Sequence, residues 1–220
     1  MLAAMIDVWG ALQTDVWRAA GLFIYALFFA IAEIEIEGER GWAEDLPTWY
    51  RVSPWYARLF RNAMAGKPLT GYHAVMLPLT FLSFHTGLAF GLTWSFSTEM
   101  VILARFLFWV TVWDFLWFLW NPFFGWQRFQ RRDVWWLGRR WIGPFPGEYW
   151  MSLILSFAFV LVPAIATADL GLLLSHAIVC LAMIAFTALA ALATPLYQRW
   201  YQHMRRPGSD ERARAIPERP

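Results

Sequence analysis

The chain has 220 residues, of which 59% are hydrophobic and 15% charged, whereas soluble domains have about 45–50% and about 25%. A soluble domain of this size has too little interior to bury so much apolar surface. The composition therefore excludes a disordered chain and a soluble enzyme, and it predicts an integral membrane protein. The formal net charge of +2 is too small to indicate a nucleic-acid partner, and a single cysteine excludes an internal disulfide and a cysteine-rich metal centre.

Five apolar stretches predict transmembrane helices, at about residues 16–37, 73–94, 100–120, 149–168 and 170–197. Crossing a bilayer takes roughly 20 apolar residues, and the last four stretches satisfy this length. The first stretch has only 14 uninterrupted apolar residues, 19–32, which cover about 21 Å of a hydrocarbon core about 30 Å thick. Glu33 follows them directly and is therefore predicted to lie at the membrane boundary or inside it.

The basic residues predict the orientation of the bundle. Arginines and the only lysine, Lys67, are concentrated in two long loops, 38–72 and 121–148, and in the C-terminal tail. By the positive-inside rule these segments face the cytoplasm and the N-terminus faces outward. The sequence thus predicts an all-α, five-span membrane helix bundle, N-out and C-in, over residues 1–205. Its predicted location is a bacterial or archaeal cytoplasmic membrane, in contact with the lipid bilayer.

The two cytoplasmic loops are predicted to lie on the membrane surface. In the first loop, Ser53 and Pro54 are expected to start a short amphipathic helix as its N-cap and its first helical residue. Lys67 is expected in a polar part of the same loop. Residues 206–220 are rich in proline, arginine and glutamate and predict a disordered tail.

Two glutamates at the end of the first predicted span are the first candidates for a site. Glu33 and Glu37 are four residues apart and therefore share one face of a helix. They lie at its C-terminal end, where the negative pole of the helix dipole disfavours additional negative charge. A bound cation, protonation or a nearby arginine would offset this charge. The alternatives are a solvated helix end with Arg40 as its counter-charge, and a pair of metal ligands or proton carriers.

Two further residues are predicted at the same membrane depth as these glutamates. His73 begins the second predicted span on the cytoplasmic side, and Asp114 lies near the cytoplasmic end of the third. Two or three carboxylates and an imidazole suit a divalent metal such as Fe, Mn or Zn, and the same groups could relay protons. The four residues together are the predicted site. The alternative role of Asp114 is a hydrogen bond to a tryptophan indole or an arginine.

His85 is a separate candidate, within the second predicted span. A histidine inside the membrane can ligate haem iron or the magnesium of a chlorophyll. His176 on the fifth span is the candidate for a second haem ligand. The alternative for His85 is a structural histidine held by hydrogen bonds.

Several blocks between about residues 30 and 141 resemble a group of small uncharacterised multispan membrane proteins of archaea and bacteria. The blocks are E-x-E-G-x-x-G-W-A from Glu35, L-P-T-W from Leu46, T-G-Y-H from Thr70, W-D-F-L-W-F from Trp113 and N-P-x-F-G from Asn121. A Trp-Trp pair at 135–136 also fits, but those proteins continue with His where this chain has Leu137. The resemblance implies a multispan membrane protein but no particular reaction, because that group has no established activity. The blocks contain Glu37, His73 and Asp114, which are three of the four residues predicted at one membrane depth.

Two classes of function remain open. In one, the cytoplasmic-side site binds a metal or moves protons, in a small membrane enzyme or a metal-handling protein. In the other, the chain is a non-catalytic, tryptophan-rich accessory or assembly subunit of a photosynthetic or respiratory membrane complex. Its 16 tryptophans and 19 phenylalanines would then pack against lipid, quinone or pigment. The sequence contains no Walker A loop and no HExxH motif. Because no catalytic motif identifies a reaction, the sequence leaves open whether the protein is an enzyme.

Overall fold

Helices form most of the computed structural model, which describes residues 2–38, 41–44, 46–64, 66–134, 136–137 and 140–204. In chain order the elements are α1 (Leu2–Glu37), β1 (Tyr50–Arg51), α2 (Trp55–Ala63), β2 (Leu69–Thr70), α3 (Gly71–Phe84), α4 (Thr86–Ala89), α5 (Phe96–Trp120), a 3₁₀ turn (Trp126–Arg128), β3 (Trp141–Ile142), β4 (Phe145–Pro146), α6 (Gly147–Ala166) and α7 (Gly171–Met204). The short strands pair antiparallel, β1 with β2 and β3 with β4. The predicted all-α class is thus confirmed, with two small strand pairs in the loops.

Four helices among the described residues are long and apolar enough to cross a membrane: α1 from Trp9 onward, α5, α6 and α7. They correspond to the first, third, fourth and fifth predicted spans and support a multi-pass membrane protein in contact with lipid. The second predicted span, 73–94, is divided between two helices. α3 has 14 residues, which cover only about 21 Å, and α4 has four. Neither helix is long enough to cross the membrane alone, and His85 separates them as the residue that caps the end of α3.

α1 and α5 run in the same direction. At their ends, the Asn121 side-chain amide donates a hydrogen bond of 2.8 Å to the carbonyl of Gly38. Further back along both helices, the Trp109 indole donates one of 3.0 Å to the carbonyl of Leu22. The chain that links α1 to α5 therefore starts at one end of the bundle and finishes at the other.

α3 runs antiparallel to α1. His73, in the first turn of α3, lies beside Glu33 and Glu37 near the end of α1. Close to the end of α3, Ser83 accepts a hydrogen bond of 2.6 Å from the hydroxyl of Tyr25, which is earlier on α1. The start of α3 is therefore held next to the last turns of α1.

The core forms around α5. Its Trp109 and Phe118 are completely buried, and α1 contributes the fully buried alanines Ala19, Ala26 and Ala30. Small residues of this kind let membrane helices approach one another closely. By contrast, many leucines and isoleucines of α6 and α7 point outward and are exposed, as expected of surfaces that face lipid.

The first long loop differs from its prediction in two details. The short helix expected after Ser53 and Pro54 is present as α2, but Pro54 occupies the N-cap position and no side chain caps the helix. Lys67 was predicted in a polar part of the loop, and this is wrong, because only 5% of its surface is exposed. The cause is packing, since its ammonium lies 4.8 Å from the centre of the Trp42 ring. The predicted tail, 206–220, lies outside the described residues.

Candidate metal site at the end of the first helix

Glu33, Glu37 and His73 come together at the end of α1. Each offers one ligand atom, and these three atoms lie within 4.8 Å of one another. The four-residue spacing brings both glutamates to one face of α1, and the antiparallel α3 presents its first turn beside them. Three of the four residues selected by depth thus form a cluster that could hold a metal ion.

Glu37 is held in place by the loop that follows α1. Its Oε1 accepts a hydrogen bond of 2.7 Å from the amide of Ala43. Gly38 ends the helix with a φ of +70°, and Trp42 and Ala43 have φ values of +60° and +54°. This left-handed conformation is costly for residues with a side chain. Here it directs the Ala43 amide at the carboxylate, so the strained loop orients Glu37 within the cluster.

His73 is fixed by a helix cap and by a stacked ring. Thr70 is the N-cap of α3, and its hydroxyl accepts a hydrogen bond of 3.1 Å from the His73 amide. The same hydroxyl lies 2.7 Å from Nδ1 of His73, and the imidazole stacks on the Trp42 indole with 4.0 Å between ring centres. When Nδ1 carries the proton and donates to Thr70, the lone pair of Nε2 is available to a metal. This is the usual arrangement of a metal-binding histidine.

Two hydrogen-bond donors lie beside Glu33. They are the Tyr72 hydroxyl and the Trp113 indole N–H, which are buried and donate weak hydrogen bonds to the Glu33 carboxylate. Glu33 keeps part of its own surface accessible, whereas Glu37 and His73 are buried. These donors hold the Glu33 carboxylate, while part of the residue stays accessible to another molecule.

Asp114, the fourth predicted ligand, lies next to the cluster but is not one of the three residues that converge. Its carboxylate accepts a hydrogen bond from the Tyr149 hydroxyl of α6. Its charge acts on both Glu33 and Glu37. Among the described residues, a tyrosine makes the hydrogen bond that was expected from an indole or an arginine. The role of Asp114 as a metal ligand stays a prediction.

Lys67 supplies positive charge close to Asp114. It lies within electrostatic reach of Asp114, and burial lowers the pKa of the Lys67 ammonium while the charge of Asp114 opposes that shift. The sequence-based site omitted Lys67, Tyr72 and Trp42. The two aromatic residues belong to the blocks T-G-Y-H and G-W-A, whereas nothing in the local sequence marks Lys67 as buried. Arg40, the expected counter-charge, lies outside the described residues.

His85, the candidate pigment or haem ligand, has partners at both ring nitrogens. Nδ1 lies 2.9 Å from the carbonyl of Phe81, and Nε2 lies 3.1 Å from a carboxylate oxygen of Glu99. His176, the candidate for a second haem ligand, places its Nε2 3.2 Å from the hydroxyl of Ser156. These contacts favour the structural alternative, because ligation would require His85 to give up one of its partners.

Comparison with known proteins identifies no relative. No protein-family model, curated protein or solved structure matches the chain. The resemblance over about residues 30–141 therefore stays a prediction, and the functional argument depends on the geometry of the site.

Proposed function

We propose that this chain is a multispan membrane protein that binds a divalent metal ion through Glu33, Glu37 and His73. The observation that carries the proposal is the convergence of their three ligand atoms within 4.8 Å of one another. Ligands that each lie about 2.0–2.2 Å from one metal ion are at most about 4.4 Å apart. Small side-chain rotations therefore suffice to bring all three atoms onto one ion.

The donor set favours iron, manganese or zinc. Magnesium and calcium prefer sites made only of oxygen atoms, and copper(I) prefers sulfur, whereas two carboxylates with an imidazole suit the intermediate metals. Three protein ligands leave at least one coordination position open, as in catalytic zinc sites. Tyr72 and Trp113 hydrogen bond with the Glu33 carboxylate and would orient it toward the ion, while the accessible part of Glu33 would leave room for water or substrate. This arrangement supports a small membrane enzyme over a closed structural metal site.

Proton transfer by the same carboxylates is a second candidate function. The three acidic side chains affect one another electrostatically, and a shared proton would reduce their repulsion. A proton route through the whole membrane has less support. On the bundle side of Glu33, the rings of Tyr25, Phe29 and Trp109 pack directly against one another. Metal binding is therefore the function that we prefer.

The topology that goes with this proposal has five spans, with the N-terminus outside and the C-terminus in the cytoplasm. α3 and α4 have 14 and 4 residues with His85 between them, and together they cover about 28 Å, close to a hydrocarbon core of about 30 Å. Because α1 and α5 are parallel, the chain between them has to return across the bundle. The concentration of arginine in the two long loops and the tail supports the orientation.

The metal content of the purified full-length protein tests the proposal. Wild-type protein is expected to retain about one equivalent of iron, manganese or zinc, measured by plasma mass spectrometry after dialysis. Glu33→Gln and His73→Asn should each lower metal affinity by at least ~10-fold, because each removes one of three ligands. Glu35→Gln is the matched control, since Glu35 lies on the same helix but is exposed and outside the cluster. This control should retain metal.

Two outcomes would refute metal binding at this site. One is wild-type protein that retains none of the three metals above the level of the double variant Glu33→Gln/His73→Asn. The other is equal metal loss in Glu35→Gln and Glu33→Gln, which would indicate nonspecific binding to acidic groups. Circular dichroism distinguishes loss of a ligand from loss of the fold, because a variant that lacks only a ligand keeps its helix content and its thermal transition.

A further inference from the structure

A mostly apolar cavity of about 900 Å³ lies between α5, α6 and α7, and none of the three candidate metal ligands lines it. It follows α5 from Phe108 to Leu119 and continues to Arg128 in the next loop. That part of α5 is about 17 Å long, so the cavity is an elongated slot. Its volume falls within the range of about 300–1,000 Å³ that is typical of ligand sites.

The two ends of the slot differ in polarity. Phe108 and Ile184 line the end inside the bundle, whereas Gln127, Arg128 and Gln198 line the end near the loop. The threonines along the walls do not add polarity, because their hydroxyls donate to carbonyls of their own helices. The slot is therefore apolar along its length and polar at one end.

Arg128 places a positive charge at the polar end. Its guanidinium lies 4.4 Å from the ring centre of Phe124 and donates a hydrogen bond of 3.4 Å to the carbonyl of Phe123. These contacts hold the side chain over the opening while it remains exposed. Neither contact neutralises the charge, and Arg128 forms no ion pair among the residues that the structure describes.

We propose that this slot binds one membrane lipid with an anionic headgroup. One of its hydrocarbon chains lies along α5, and its phosphate or carboxylate contacts Arg128. An apolar channel with a guanidinium at its opening is complementary to such a lipid in both shape and charge, and arginine binds phosphate and carboxylate oxygens in a bidentate manner. The proposal goes beyond the metal site and does not depend on it.

Native mass spectrometry of the full-length protein tests this site. The protein is exchanged into micelles that contain equal amounts of phosphatidylcholine and phosphatidylglycerol, and the retained lipid is identified. Wild-type protein is expected to retain one phosphatidylglycerol molecule. Arg128→Gln should reduce the preference for phosphatidylglycerol by ~10-fold, as expected for loss of a charge-assisted contact. Arg132→Gln is the matched control, since Arg132 belongs to the same loop but is exposed and paired with Asp133.

A second pair of variants tests whether the chain occupies the slot. Ala188→Trp fills the slot, which Ala188 lines, and should lower the retention of both lipids. Leu189→Trp changes the neighbouring outward-facing residue and should not. The inference is overturned if Ala188→Trp retains lipid like the wild type, or if Arg128→Gln and Arg132→Gln show the same headgroup preference.

Two further measurements on the same samples identify the ligand and keep the two proposals separate. Excess inorganic phosphate should not displace phosphatidylglycerol, and displacement would show that Arg128 binds a free anion, which contradicts the lipid site. Metal content should be the same in Arg128→Gln, Ala188→Trp and wild type. Loss of metal in Glu33→Gln with lipid retained, or the reverse in Ala188→Trp, shows that the two sites succeed or fail independently.

Discussion

Three carboxylates and one ammonium meet at the end of α1. The charges of Glu33, Glu37 and Asp114 act on one another, and Lys67 is the nearby cation. An uncompensated buried charge costs several kcal/mol, and the negative pole of the α1 dipole adds to the negative potential. Among the residues that the structure describes around this cluster, the single Lys67 ammonium leaves negative charge to be offset when the three carboxyl groups are ionised. A bound proton or a divalent cation would offset this charge, and the imidazole of His73 beside the two glutamates is what favours the divalent cation in our proposal.

At the residue scale, Thr70→Val should weaken metal binding without removing a ligand. The Thr70 hydroxyl holds both the amide and Nδ1 of His73, so its loss frees the imidazole and removes a helix cap. We expect metal affinity to fall by at least ~10-fold and the free energy of unfolding to fall by about 1 kcal/mol. Chelator competition measures the first effect and thermal unfolding the second. Thr70→Ser keeps the hydroxyl and should behave like the wild type, and equal losses in the two variants would contradict the assigned role.

At the element scale, the turn after α1 is held from several directions. Gly38 ends α1 in the left-handed region, and Asn121 at the end of α5 binds its carbonyl. Trp136 packs so closely on Gly41 that a side chain at that position would clash with it. The position of the carboxylates at the end of α1 is therefore set by contacts from α5 and from the second long loop.

Gly38→Ala should destabilise the protein through its backbone alone. An added Cβ at Gly38 would meet nothing within 4 Å, but the φ of +70° is unfavourable for alanine, and the expected loss is about 1–2 kcal/mol of unfolding free energy. Gly10→Ala is the control, because Gly10 also has free space around it but lies within α1. Alanine is favoured over glycine inside a helix, so this variant should not be destabilised. Thermal unfolding in detergent compares the two, and equal destabilisation would show that the left-handed turn is unimportant.

At the scale of the whole molecule, the acidic cluster and the lipid slot are neighbours. Tyr149 connects them, because its ring lines the slot while its hydroxyl donates to Asp114. The outer faces of α6 and α7 are apolar and exposed, as a bilayer requires. The same faces would serve an accessory subunit packed against other membrane proteins, so that hypothesis stays a prediction.

The proposed topology predicts where the loops lie. A reporter fused after residue 206 should be cytoplasmic, and one inserted within 95–98 should be external, because the arginine-rich segments stay inside and the chain crosses back between α1 and α5. Paired phosphatase and fluorescent-protein fusions measure both sides. If a third reporter, inserted in the loop 38–72, lies on the same side of the membrane as the one within 95–98, α3 and α4 do not cross the membrane and the five-span topology is wrong.

The sequence alone determined which segments can enter a membrane. Partition into lipid depends on the composition of each segment by itself, so α5, α6 and α7 could be predicted from apolar length. α1 could be predicted only by extending its 14 apolar residues with their flanking residues. The shared face of Glu33 and Glu37 also followed from a local rule, because residues four apart lie on the same face of a helix. His73 could be placed near them because depth depends only on counting residues from the membrane boundary.

Only the tertiary structure decided how the helices are rotated and which loop residues pack against them. The hydrogen bond from Tyr149 to Asp114 joins residues 35 positions apart, and it depends on how α6 faces α5. Lys67 is buried because Trp42 packs over it, which its polar local sequence does not indicate. The pairing of His85 with Glu99 likewise requires α3 to end beside the start of α5. Contacts between distant segments follow from the packing of whole elements, and that packing is not encoded in the hydropathy or the period of any one segment.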